Sequence, residues 1–483
     1  MKITELRPKK VFHYFSEISK IPHGSGNTEQ IARYCMEFAN EHNLKSYSDH
    51  YGNVMIFKNG TAGYEEYDPV IIQGHLDMVC EKRSDCDRDM EKDGLELVTD
   101  GEYLWAGGTT LGGDDGIAVA YILALLASDD IVHPPIEALL TADEEIGLRG
   151  ANALDMSQFK GRRLINIDSE EEGVFTVSCA GGVRMVCSLP LKLKETKNEG
   201  ICARKIKIGG LRGGHSGMDI NKSRRNAAKT LAELLYELNK QIEINIADVY
   251  SGGRTNVIPR AAEAVVCFKE SFLNVFNSII SAFDSNLKIS CINFEPDAYA
   301  AAENISVPPF STDRNSTDKL IFLLMQIMDG VYAMSPDIPE LVQTSSNMGS
   351  MSFKDEYLSI ELMIRSNTDF GKKALVRKLE SLVEYVGGDM YCGDDYPAWE
   401  YMHNSPLRDI MIKVYRDMYG DDPRICSIHA GLECGVFANK LPGVDMVSIG
   451  PDMEKVHTPD ERLSIQSAER CWNYLLRLLE CLK

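Results

Sequence analysis

Residues 116–128, "GIAVAYILALLAS", are apolar almost all the way round. A helix without a polar stripe has no face to give to water and has to be enclosed. Short apolar runs that end in polar residues bracket it: "DPVIIQG" before, "PIEALLTA" and "RRLINID" after. Runs of that length read as strands buried on both faces. An enclosed helix among buried strands requires an α/β layer built on a mixed, largely parallel sheet. Ligands of such sheets gather beyond the carboxyl ends of the strands. "VFHYFSEISKI" and "EQIARYCMEFANEHNL" carry apolar residues at helical spacing, and "NVMIFK" reads as a further strand.

At 483 residues the chain is too long for one ordinary core. Its character changes after "VSCAGGV", where strands such as "KIKIGG", "AAEAVVCFK" and "LSIELMIRS" accompany helices such as "RRNAAKTLAELLYELNK" and "KKALVRKLESLVEYV". The α/β signature returns with "PLRDIMIKVYRDMYG" and "VDMVSIGP". The expected organisation is an α/β domain over residues 1–183 and 400–483, interrupted by an α+β domain over 184–399. The insertion is expected to hold two related strand–helix units, although no clean sequence repeat marks them.

A net charge of −21 argues against a nucleic-acid partner, whose phosphates select basic surfaces. No stretch approaches the apolar length of a membrane span, and "MKITELRPKKVFHYF" lacks the apolar core of a secretion signal. Thirteen scattered cysteines, with no CxxC, point to reduced thiols and a cytoplasmic location.

Five places put a carboxylate or histidine just after an apolar run or inside a glycine-rich turn. They are "GHLD" (His75, Asp77), "LGGDDG" (Asp114, Asp115), "TADEEIG" (Asp143, Glu144, Glu145), "NIDSEEEG" (Asp168) and "EKVHTPDE" (His457). Singly, each has a plain explanation: "GGDDG" can cap the following helix, the acidic runs can be solvated, and His457 can be a loop residue. Together they fit a pair of divalent cations, which needs a bridging carboxylate with terminal histidine and carboxylate ligands. Imidazole and carboxylate suit zinc, with manganese or cobalt as alternatives. Glu144 and Glu145 supply two acidic groups in one turn, one to coordinate and one to act as base. His75 is read as a metal ligand, and Asp77 as a carboxylate that accepts a hydrogen bond from the His75 imidazole or a neighbouring ligand.

"GHLDMV", "GGDDGIA", "ADEEIGLRGA", "NIDSEE" and "VHTPDE" resemble the ordered motif set of the co-catalytic zinc peptidases, the family of aminoacylases, glutamate carboxypeptidases and dipeptidases. "IIQGHLDMVCEK", "GGRTNVIPRAA", "IHAGLECGVF" and "SIGPDMEKVHTPDERLS" draw the resemblance towards the aminoacyl-histidine dipeptidases in that family. It implies a zinc-peptidase catalytic domain with an inserted lid domain, and hydrolysis of dipeptides, Xaa-His among them. It also implies His75 and Asp168 on one zinc, Glu145 and His457 on the other, Asp114 as bridge, Glu144 as general base and Asp77 as supporting carboxylate. Many relatives have a lysine after the acidic pair where this chain reads "DDGIA", which leaves Asp115 as the rival bridge. In the lid, the resemblance implies His215 as a donor to the substrate's developing oxyanion. Asn256 and Arg365 are expected to hold the substrate carboxylate, His429 and Glu433 to line the site, and Glu433 to pair with the substrate amine.

The expected partner is a small peptide substrate, closed over by the two domains, in a monomer or homodimer with no membrane association. Alternatives are an aminoacylase or tripeptidase of the same fold, or a non-catalytic metal-binding scaffold. A serine hydrolase is disfavoured because no GxSxG elbow is present.

Overall fold

In the computed structural model, residues 3–197 and 199–483 are described, and they divide into two compact units. The first comprises Met1–Ser178, Tyr401–Ser427 and Leu432–Lys483, and the second Cys179–Glu400 with Ile428–Gly431. Ile428–Gly431 joins the second unit through its backbone: the Ala180 N–H donates to the Ile428 and Ala430 carbonyls at 3.1 and 3.0 Å. The second unit begins ahead of Arg184 because its strand Gly181–Pro190 does.

The first unit is built on an eight-stranded mixed sheet. Its centre is four adjacent parallel strands, in the order Ile136–Thr141, Val70–His75, Arg163–Asn166 and Asp445–Ser448. Register aligns their carboxyl ends: His75 lies opposite Thr141, Gln73 opposite Asn166, and Ser448 opposite Asn166. The chain therefore leaves the sheet along one edge, just ahead of Asp77, Glu144, Asp168 and the segment that runs to His457. Antiparallel strands Lys45–Ser48 and Val54–Lys58 extend one flank.

The apolar helix forms over Gly113–Leu126, and every residue in it is buried. Gly116 lies against Phe15 and Ile18 of helix Lys9–Ile18, and Ala118 lies against Gly74. Lys58 Nζ donates to the carbonyls of Leu125, Leu126 and Ser128 at 3.1, 3.0 and 2.5 Å. It thus satisfies carbonyls that the helix end leaves unpaired. A four-stranded sheet joins Met453–Glu454, Arg462–Ser464, Tyr103–Ala106 and Leu97–Thr99, and it fixes both ends of the loop that carries His457. Among the described residues, no helix is long and apolar enough to cross a membrane.

The second unit has a nine-stranded antiparallel sheet in which one strand order occurs twice. In one half the strands are Ile201–Gly209, Asn245–Gly252, Ala262–Lys269 and Tyr299–Ile305, and their spatial order is fourth, first, third, second. In the other, Gly181–Pro190, Val342–Lys354, Tyr357–Ser366 and Asp389–Tyr396 repeat that order in mirror sequence. The halves join through their second strands, with Ser251 opposite Met351. The first half is inserted in the second, between its first strand and helix Arg314–Gln326. Each half places two helices in one continuous apolar core.

Candidate metal centre

His75 ends its strand with a buried side chain, 1% exposed. Its Nδ1 lies 3.0 Å from the Asp77 backbone carbonyl, to which it donates, and Nε2 is turned to the carboxylates. From Nε2, Asp114 Oδ1 is 3.0 Å away and Asp168 Oδ1 3.5 Å. The other oxygen of Asp114, Oδ2, lies 3.1 Å from His457 Nε2, which also meets Glu145 Oε1 at 2.6 Å. Two imidazole–carboxylate groups therefore share one carboxylate, Asp114. His75, Asp114 and Glu145 offer ligand atoms that all lie within 4.8 Å of one another, as do His75, Asp115 and Asp168.

The local backbone explains this convergence. Gly112 takes a φ of +64°, and Asp114 and Asp115 depart from helical angles, so the acidic pair forms a kink ahead of the regular helix. Asp115 turns to the sheet, and its Oδ2 accepts the His75 backbone N–H at 3.1 Å. That approach needs Gly74, because a Cβ there would lie 2.7 Å from the same oxygen. Asp115 Oδ1 is buried with no hydrogen-bond partner. Glu461 anchors the His457 loop: its two oxygens accept the Leu111 and Gly113 N–H groups at 3.0 and 2.8 Å. The "VHTPDE" motif contains Glu461, but only the folded loop reveals this bond to the Asp114 turn.

Asp77 is shared between the His75 imidazole and the Glu144–Glu145 turn. Its carboxylate lies 3.6 Å from His75 Nδ1. The Glu144 N–H reaches Oδ1 at 2.9 Å, the Glu145 N–H reaches Oδ2 at 3.3 Å, and Ser25 Oγ donates to Oδ2 at 2.7 Å. The Asp77 main chain takes the shorter bond to the His75 ring, and its side chain lies beside that ring while holding the Glu144 turn.

Glu433 is the most enclosed of the expected lining residues. It is fully buried, and its Oε2 accepts from Gln73 Nε2 at 2.6 Å and Thr141 Oγ1 at 2.7 Å. Gln73 continues the chain by accepting from Asn166 Nδ2 at 2.6 Å. Glu433, the first residue of helix Glu433–Lys440, thus meets Thr141 at a strand end, and its Oε1 is buried without a hydrogen-bond partner.

Electrostatics single out the same group. Burial would raise Asp114, but hydrogen bonds with His457 and His75 hold its carboxyl well below the usual range. Burial would lower His75, but Asp114, Asp168 and Asp77 outweigh it and hold the imidazole well above its ordinary value. Asp114 and Glu145 push His457 up to about 11. Burial lifts Asp168 to about 6 and Glu433 to about 8, and carries Glu144 and Asp115 well above the carboxylate range. Among the described residues, no lysine or arginine pairs with Asp114, Asp115, Glu144, Glu145 or Asp168. Carboxylates crowded this way around two imidazoles need cations or protons to balance them. Nitrogen and oxygen donors, with a buried oxygen left over on Asp115, fit divalent metal.

The remaining expected residues lie in the second unit. His215 is paired with Val257, and Ser216 N donates to the Asn256 carbonyl at 2.9 Å, so the two loops form one surface. His215 Nδ1 accepts the Gly217 and Met218 N–H groups at 3.2 and 3.1 Å, which leaves the proton on Nε2. Burial, then the Arg365 charge, holds this ring below its ordinary value. Asn256 is exposed beside it. Arg365 lies in a cross-strand row with Tyr396, Gly182 and Ser345. It is 6% exposed, donates from Nη1 to the Tyr396 hydroxyl at 2.8 Å, and leaves Nε without a partner. Among the described residues, no carboxylate pairs with this guanidinium. A Cβ at Gly182 would lie 2.4 Å from the Tyr396 hydroxyl, so glycine there lets the ring reach Arg365.

His429 is buried with both ring nitrogens engaged. Nε2 meets Ser345 Oγ at 2.7 Å and Nδ1 meets Asn367 Oδ1 at 3.1 Å. It supports its neighbours instead of lining an opening. The signal for this cluster is the run "TSSN" at 344–347, four polar residues that are all buried in one strand.

The chain is 36% identical over 479 residues to the cytosol non-specific dipeptidase of Escherichia coli (strain K12), covering 99% of each. A crystal structure of aminoacylhistidine dipeptidase from Vibrio alginolyticus superposes with a TM-score of 0.94 at 34% identity, over 99% of this chain and 98% of that one. Aminopeptidase PepT from Bacillus cereus, at 14% identity, shares the fold alone, with a TM-score of 0.58 over 99% of both chains. Residues 71–480 match the peptidase family M20/M25/M40. By that match and by relatives of its own length, the chain belongs to peptidase family M20/M25/M40.

Proposed function

We propose that this protein is a cytoplasmic metallodipeptidase that hydrolyses dipeptides, Xaa-His among them, with two divalent cations, zinc first. One observation carries the reading: the two oxygens of Asp114 face two different imidazoles, each of which also meets a second carboxylate. His75 and Asp168 would hold one ion, Glu145 and His457 the other, and Asp114 both. Cations held there supply Lewis acidity to the scissile carbonyl and to a hydrolytic water.

The chain's own residues do the rest. Glu144 takes a proton from the attacking water as its oxygen bonds to the carbonyl carbon. As the C–N bond breaks, Glu144 delivers that proton to the leaving amine nitrogen. Asp77 sets the direction of Glu144 through the backbone N–H it holds. In the second unit, His215 presents a neutral imidazole whose Nε2–H can donate to the carbonyl oxygen as charge develops on it. Arg365, buried without a counter-charge, is matched to the substrate's terminal carboxylate, with Asn256 assisting. His429 and Glu433 act behind these groups.

The deciding experiment is hydrolysis of a panel of dipeptides, tripeptides and N-acetylated controls before and after metal removal. Activity should vanish with chelator, return with zinc, and require two residues with a free amine. Replacement Glu144→Ala should abolish turnover and leave two ions bound. A chelator-resistant rate, or a Glu144→Ala rate near wild type, defeats the reading. Preference for N-acetylated substrates would move it to an aminoacylase, and preference for three residues to a tripeptidase.

A further inference from the structure

The turn "GSGN", residues 24–27, lies ahead of the segment matched to the family, which starts at Ile71. It nonetheless reaches the Glu144 turn twice, once through Asp77 and once directly at Asp143. Ser25 Oγ donates to Asp77 Oδ2 at 2.7 Å, and the Gly26 N–H donates to Asp143 Oδ1, also at 2.7 Å. The turn is built for that place. The Asn27 N–H closes it on the Gly24 carbonyl at 2.8 Å, and Gly26 takes a φ of +80°, the conformation a type II turn puts at its third position. It is docked on the chain that leaves the His75 strand: Ser25 N donates to the Met78 carbonyl and Met78 N to the His23 carbonyl, both at 3.2 Å. Gly24 has no room for a side chain, since a Cβ would lie 2.4 Å from Cys80 Sγ.

We propose that this turn is a clamp on the general-base turn, with Ser25 as a positioning residue that acts through Asp77. The proposal rests on the reading of Glu144 as base. A carboxylate turns readily about its last torsion, and the Glu145 N–H holds Asp77 Oδ2 from only 3.3 Å. The short bond from Ser25 to the same oxygen is charge-assisted and removes that freedom. Oδ1 is then fixed against the Glu144 N–H. On the far side, Asp143 takes a φ of +55°, unfavourable for a residue with a Cβ, and the Gly26 N–H holds its carboxylate. Loss of the clamp lets the base drift, and a drift of about 1 Å can cost about 100-fold in rate.

Zinc-loaded full-length protein is compared as wild type, Ser25→Ala, Ser25→Thr, Asp77→Asn and the Ser25→Ala/Asp77→Asn double variant. Ser25→Ala should lower kcat about 10- to 100-fold at unchanged KM and metal content. Ser25→Thr keeps the hydroxyl and should recover most of the loss. In the Asp77→Asn background, Ser25→Ala should add nothing, because the two act along one route. Amide hydrogen exchange supplies a readout independent of chemistry: the Glu144 and Glu145 amides should exchange faster in Ser25→Ala, with the rest of the chain unchanged. Wild-type exchange at those amides overturns the clamp, and so does full additivity in the double variant. If wild-type protein hydrolyses no dipeptide, the exchange result still decides the clamp, and the failure belongs to the proposed function.

Discussion

His75 and His457 in the first unit, and His215 and His429 in the second, are the same residue in opposite surroundings. Carboxylates hold the first pair above the ordinary imidazole value, with His457 at about 11. Burial and the Arg365 charge hold the second pair below it, with His429 at about 3. One unit crowds negative groups and leaves a carboxylate oxygen of Asp115 unpartnered; the other buries a guanidinium and leaves its Nε unpartnered. A folded chain tolerates such imbalance where something outside it completes the charge. The first unit is suited to cations and the second to an anion.

The largest expected effects test that division directly. Asp114→Asn should reduce turnover by about 10³-fold or more, as for groups that act as a unit, with metal stoichiometry falling alongside. Arg365→Met should leave metal content intact and raise KM about 100-fold, ~3 kcal/mol, the range for truncating one side of a buried charge pair. Kinetics with metal analysis separate the two, and a metal deficit in Arg365→Met breaks the comparison.

Next comes protonation. In metal-free protein near neutral pH, His75 and His457 both hold protons that a ligand must lose. Zinc binding should therefore release protons, and apparent affinity should fall as pH is lowered. Calorimetry in buffers of different ionisation heat measures this, and zero release contradicts it. His429 has the opposite sign: its folded form is neutral, with a value lowered from 6.5 to about 3. The stability it contributes is present above 6.5 and is lost as pH falls towards 3. Denaturant titrations at several pH values should show that slope, and His429→Gln should flatten it. The smallest effect sharpens the anion side. Gly182→Ala drives a Cβ into Tyr396 and should cost about 1–3 kcal/mol of stability, with a modest rise in KM.

Much of the first unit was legible. The apolar run at 116–128 falls almost wholly in the buried helix, and the motifs after "IIQG", "ALLT" and "LIN" follow the parallel strands whose ends register aligns. What escaped was direction. A strand end says that Asp77 leaves the core; the loop conformation decides that its carboxylate, beside the His75 ring, also takes Glu144 N and Ser25. Glu433 reads as a lining residue, yet it starts a helix whose first turn is buried. The transfer of Ile428–Gly431 to the second unit rests on backbone bonds to Ala180, a contact across some 250 residues of sequence that no local pattern announces.

The nested halves of the second unit also dictate an order of events at the ribosome. Strand Gly181–Pro190 emerges early, but its partners, Tyr357–Ser366 and Asp389–Tyr396, arrive more than 160 residues later. At about 5–20 residues per second that is a wait on the order of ten to thirty seconds. The inserted half, from Ile201 to Ile305, is contiguous and can close meanwhile. Until Val342–Lys354 is made, Asn245–Gly252 presents a bare strand edge to the cell, the kind that invites wrong partners.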